Sequence, residues 1–120
     1  MRIIRASERE PFTAVDGSEI RELAGPPSAT AQNQSLAEAR VHPGSETTEH
    51  FHKVSEEIYV FLAGEGRMRL GEDVDEVRAG EVVVIPPGTR HKLWNQGPGQ
   101  LVLLCCCSPP YSDEDTILCD

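Results

Sequence analysis

The chain is short of positive charge. Eleven lysines and arginines stand against twenty aspartates and glutamates in 120 residues, a formal net charge of -9. Such a balance argues against nucleic acid or an anionic membrane surface as partner and favours solubility. Long apolar runs are missing as well. Nothing approaches the roughly 20 residues that a membrane-crossing helix needs, and the first stretch, MRIIRASEREPF, lacks the apolar core of a signal peptide. The expected location is therefore the cytoplasm. No CxxC spacing occurs. Three of the four cysteines, Cys105 to Cys107, are consecutive. Neighbours on an extended chain point to opposite faces, so they are poor disulfide partners and read as small buried hydrophobes. A thiol beside a functional site or a redox role is the alternative. No helical period is sustained and no internal repeat is visible. At this length the chain makes one domain with a single core.

What is present is a series of short strands. Residues 1–31 are polar and turn-rich, read as an N-terminal arm with at most one short strand near Arg21–Leu23, and residues 32–120 form the domain proper. From Gln34 onward, apolar or alternating segments such as SLAEARV, EEIYVFL, VVVI and LVLLCCC are separated by turn signals such as HPGSE, AGEG, PPGT and QGPGQ. That spacing predicts an all-β antiparallel sandwich or barrel. In EEIYVFL, Glu57, Tyr59 and Phe61 share one face, and Ile58, Val60 and Leu62 the other. VVVI at 82–85 is likewise apolar on both faces, which predicts that both are covered, the second by the arm or by another subunit. A homodimer is the favoured form.

The stretch HFHKVSEEIYVFLAG at 50–64 concentrates the chemistry. On a strand, residues i and i+2 point to the same side, roughly 7 Å apart along the chain, so His50 and His52 can lean toward one ion. Phe51 points the other way. Glu57 follows after four residues at the head of an apolar face, where a carboxylate is costly unless hydrogen-bonded or coordinated. His91, three residues beyond the glycine of a PPG turn, would bring a fourth ligand from a separate strand. Solvated strand-end histidines are the plainer alternative, but it requires independent coincidences of spacing.

Two motifs now stand out. Gly44, His50, His52, Glu57 and Gly64 are separated by five, one, four and six residues. Gly80, Pro86, Gly88, His91 and Asn95 are separated by five, one, two and three, with fifteen residues between the motifs. This pair resembles the two motifs of the cupin superfamily. The resemblance implies a jelly-roll β-barrel with one divalent transition metal ion (Fe, Mn, Ni, Zn or Cu) held by His50, His52, Glu57 and His91. The glycines and Pro86 would form turns, and Asn95 would be structural or support the ligands. It further implies a metal-dependent enzyme acting on a small organic molecule, with dioxygenase-type chemistry ahead of isomerase or decarboxylase chemistry. A non-catalytic cupin that captures a sugar or small acid is the alternative.

Other side chains are weighed around that centre. Glu57 doubles as proton acceptor and Tyr59 as a catalytic candidate. Phe61 and Arg69 are substrate-binding candidates, an inward arginine being suited to a carboxylate. Glu56 should point away, His42 reads as a turn residue, and Trp94 as a surface or dimer contact. The acidic SDEDT and GEDVDE loops are assigned nothing beyond solubility.

Overall fold

A computed structural model describes residues 1–119. Its strands are β1 (Phe12–Thr13), β2 (Glu19–Ala24), β3 (Ser35–Val41), β4 (His50–His52), β5 (Glu56–Ala63), β6 (Glu65–Leu70), β7 (Asp73–Arg78), β8 (Val82–Ile85), β9 (His91–Trp94), β10 (Leu101–Ser108) and β11 (Thr116–Leu118). The first sheet runs β1-β2-β3-β10-β5-β8 and the second β11-β4-β9-β6-β7. Each pairing is antiparallel. This is the expected all-β jelly roll.

Alternation places the core between the sheets. Along β5 the inward residues Glu57, Tyr59 and Phe61 are buried, and along β6 Gly66 and Met68 are buried while Arg67 is exposed. Phe61, Ile85, Leu101 and Leu103 are almost fully excluded from solvent and pack with Met68, Val77 and Leu93. Gly64 sits at φ +82°, and a Cβ there would run into the Gln100 backbone, so the β5–β6 turn requires glycine at that position.

The N-terminal arm differs from expectation. It contributes two strands, and β2 spans six residues that pair with β3 across the anticipated boundary at 31/32. EIRELA alternates well enough to extend the sheet, turning Ile20 inward against Ala39 and Arg21 outward beside Glu38. The arm also lies at the edge of the sheet opposite β8. It therefore does not cover the outer apolar face of β5 and β8, where Leu62, Val82 and Val84 remain about half exposed.

Candidate metal centre

Three strands bring the histidines together. β4 carries His50 and His52, and its neighbour β9 pairs His91 directly with His50. The PPG turn fixes the approach of β9: Gly88, at φ +79°, donates its N–H to the His52 carbonyl at 2.7 Å. β11 pairs with β4 on its other side, Thr116 opposite His52 and Leu118 opposite His50. All three histidines are buried, His91 to 1% exposure.

Two backbone carbonyls and one hydroxyl set their tautomers. His50 Nδ1–H donates to the Thr48 carbonyl at 2.7 Å, and His91 Nδ1–H donates to the Thr89 carbonyl at 3.0 Å. The Thr116 hydroxyl spends its hydrogen on the Ser112 carbonyl, so it accepts from His52 Nδ1–H at 3.1 Å. Each ring thus holds its proton on Nδ1 and turns an Nε2 lone pair inward. One coordinating nitrogen from each ring lies within 4.8 Å of the others.

Glu57 completes the group. Its Oε1 stands 3.1 Å from His52 Nε2 and 3.4 Å from His91 Nε2. With the ring protons on Nδ1, these are acceptors facing acceptors, an arrangement that calls for a cation between them. The spacing is close to the about 3.0 Å between adjacent ligands held some 2.1 Å from one ion. His91 Nε2 is buried without a hydrogen-bond partner, which a native interior rarely tolerates unless something else fills the role. The residues fit a metal ion.

A cavity of about 770 Å³ opens beside this group. Tyr59 lines it, its ring centroid 5.9 Å from that of His91, and burial followed by the Glu57 charge raises its pKa well above the usual phenol value. Cys105 and Cys107, which pair with Tyr59 and Glu57 across β10, also line the wall. The Cys107 thiol donates to Glu57 Oε2 at 3.3 Å. Burial and the Glu57 carboxylate push that thiol's pKa up, so Cys107 meets Glu57 as a neutral donor.

Two candidates do not reach the cavity. Phe61, two residues beyond Tyr59 on β5, lies in the packed core at 1% exposure. Arg69 is turned outward because Met68 takes the inward position on β6, and its Nε sits 3.6 Å from Glu49 on the surface. His42 is exposed beside Glu19 and Gln100, and Glu56 is exposed as anticipated.

Three residues that matter were passed over in the sequence. Asp16, from the turn between β1 and β2, lines the cavity with Oδ2 3.9 Å from His50 Nε2. Tyr111 packs edge-on against His52, centroids 5.7 Å apart. Asp115, from the SDEDT loop assigned to solubility, accepts the N–H groups of Val54 and Ser55 at 2.9 and 3.0 Å. It thereby pins the four-residue link between His52 and Glu57. The clustering of turn residues hinted at such caps, but nothing local identified their distant partners.

The sequence profile of the family described as the Cupin domain matches residues 37–107. This chain belongs to the cupin family. Among relatives of this cupin is the uncharacterized protein MJ1618 of Methanocaldococcus jannaschii, 48% identical over 118 residues, covering 97% of this chain and 94% of the relative. Two solved structures share the fold. One is a predicted oxalate decarboxylase from Thermotoga maritima, with TM-score 0.80 and 24% identity, covering 90% of this chain and 99% of the other. The second is a variant of Streptomyces PAC13 solved with uridine, with TM-score 0.81 and 18% identity, covering 100% and 92%. No helix among the described residues is long and apolar enough to cross a membrane.

Proposed function

We propose that this cupin is a metal-dependent enzyme performing acid–base chemistry, of the isomerase or lyase kind, on a small organic molecule. One observation carries the reading: three inward histidine nitrogens cluster together, two of them facing Glu57, and Nε2 of His91 is buried without a partner. His50, His52, Glu57 and His91 would hold one divalent ion from the Fe, Mn, Ni, Zn and Cu set. When bound, such an ion supplies Lewis-acid polarisation of an oxygen on the ligand. The chain's own residues supply the rest. Tyr59, kept protonated by burial and the Glu57 charge, offers a hydrogen bond to a ligand oxygen. Cys107 orients Glu57 through Oε2.

These polar groups move acid–base chemistry ahead of the dioxygenase reading. Dioxygenase chemistry keeps second place because Val41, Leu93 and Leu103 give the cavity a partly apolar wall. The solved neighbour carrying uridine supports a small-molecule ligand for this barrel. The exposed Leu62, Val82 and Val84 support a homodimer through the outer face of β5 and β8. Four unpaired cysteines support a reducing compartment, the cytoplasm.

Elemental analysis tests the reading, on untagged protein purified without chelator and again after reloading with each ion. About one equivalent of a transition metal per chain is expected. No uptake under any condition would overturn the enzyme proposal in favour of a ligand-binding cupin. Substrate-dependent oxygen uptake by the loaded protein would restore the dioxygenase reading to first place.

A further inference from the structure

The cavity wall carries charge of one sign. Among the described residues that line it there is no lysine or arginine, whereas Asp16, Glu22, Glu57, Asp113 and Glu114 bring five carboxylates. Cations that adjoin wall residues on the strands are turned away by alternation: Arg21 and Arg40 lie beside Glu38, and Lys92 beside Glu46. The rest of the wall is largely apolar, built from residues such as Phe12, Ile20, Val41, Leu93 and Leu103. An anionic ligand would lose its hydration here and meet no lysine or arginine in return. A divalent ion at the histidines would meet two carboxylates, Glu57 and Asp16, whose charges offset its own.

Asp16 is built to face a ligand. Its Oδ1 accepts the Ser18 N–H at 3.0 Å and the Ser18 hydroxyl at 2.7 Å, and its carbonyl accepts the Thr48 N–H at 2.8 Å. These bonds fix the β1–β2 turn against the segment leading into β4. They leave Oδ2 directed toward His50 Nε2, a nitrogen whose tautomer gives it no proton to donate. A carboxylate oxygen held this way is a ready acceptor for a donor that arrives from outside the chain.

We propose that the ligand of this cavity is an uncharged or cationic molecule with an apolar body of two or three rings, bearing a hydroxyl or amino group, and that Asp16 accepts that group's hydrogen. The size follows from the cavity, about 770 Å³, within the range that encloses ring-bearing ligands and far above what a two-carbon acid fills. The assignment rests on the enzyme reading above and narrows it, removing simple carboxylic acids and phosphate esters from the substrate class.

Three probes of matched shape test it: 2-naphthol, 2-naphthylmethylammonium and 2-naphthoate. Their dissociation constants are measured by protein-detected NMR titration on chelator-treated and on zinc-incubated protein. Naphthol and the ammonium are expected to bind about tenfold or more tighter than naphthoate in both preparations. Asp16→Asn, close in shape and still able to accept from Ser18, should weaken the ammonium about tenfold and narrow its margin over naphthoate. Naphthoate binding as tightly as naphthol in either preparation overturns the proposal, as does a margin unmoved by Asp16→Asn, or no binding by any probe. The wild-type ranking stands whether or not the variant folds. A failure to retain zinc or any other ion of the set sinks the enzyme reading alone, because the chelator-treated arm still tests the charge selection.

Discussion

His91 and Asn95 stand four residues apart on one inward face, both almost fully buried and both polar, yet they belong to different regions of the same interior. At the packed end, Asn95 Nδ2 donates to the carbonyls of Val41 and Gly99 at 2.8 Å each, and its Oδ1 accepts the Gly97 N–H at 3.0 Å. Both polar atoms of its side chain are thus partnered within the chain. At the cavity end, His91 satisfies Nδ1 on the backbone and leaves Nε2 without a partner. Two other strands make the same passage, β5 from Phe61 through Tyr59 to Glu57 and β10 from Leu101 and Leu103 to Cys105 and Cys107. Burial alone therefore does not mark a functional group. What marks it is burial with hydrogen-bonding capacity unspent.

The comparison breaks most cleanly at the histidines. Replacing His50 and His91 together with alanine should take metal content from about one equivalent to none while the protein stays folded, read by elemental analysis and circular dichroism. Metal content equal to wild type would remove the site. Next in size is Phe61→Ala, which opens a cavity in the packed end and should cost about 3–5 kcal/mol in denaturant unfolding. A cost below about 1 kcal/mol would mean that the two ends are not distinct in packing. Asn95→Ala removes three hydrogen bonds and strands buried carbonyls, for about 1–3 kcal/mol. If His91→Ala destabilised the chelator-treated protein as much, the contrast between a satisfied and an unsatisfied polar group would fail.

The legible part of this molecule is the part written in short periods and local turns. Strand alternation gave the inward set Glu57, Tyr59 and Phe61, and the PPG turn placed His91. The division between Tyr59 in the cavity and Phe61 in the core was not readable, because it depends on where the opposite sheet closes. Arg69 went astray for a related reason: Arg67 and Arg69 alternate with Met68, and only the burial of Met68 decides which set turns inward. The residues missed altogether act across the chain. Asp115 caps Val54 and Ser55 from 60 or 61 positions away, and Thr116 orients His52 from 64. Asp16 reaches the cavity because β1 and β2 join the sheet, which a polar, turn-rich arm did not announce.

The smallest effect expected is one of pH on the metal-free protein. In the folded chain the His50 pKa lies below its ordinary value of 6.5, chiefly through burial and then through repulsion from His91. The unfolded chain therefore binds the proton more readily. Above about pH 6.5 both states carry neutral His50 and the group contributes no slope. As pH falls below that value the unfolded state gains its proton first, and folding stability declines until the folded state is protonated as well. A single group limits this slope to about 1.4 kcal/mol per pH unit. Thermal unfolding of chelator-treated protein between pH 7.5 and roughly pH 5 should show the decline, and His50→Gln should flatten it. An equal decline in that variant would assign the acid sensitivity to other groups. The burial of His50 would then carry no protonation cost, and the cavity end would be wetter than the burial of its histidines implies.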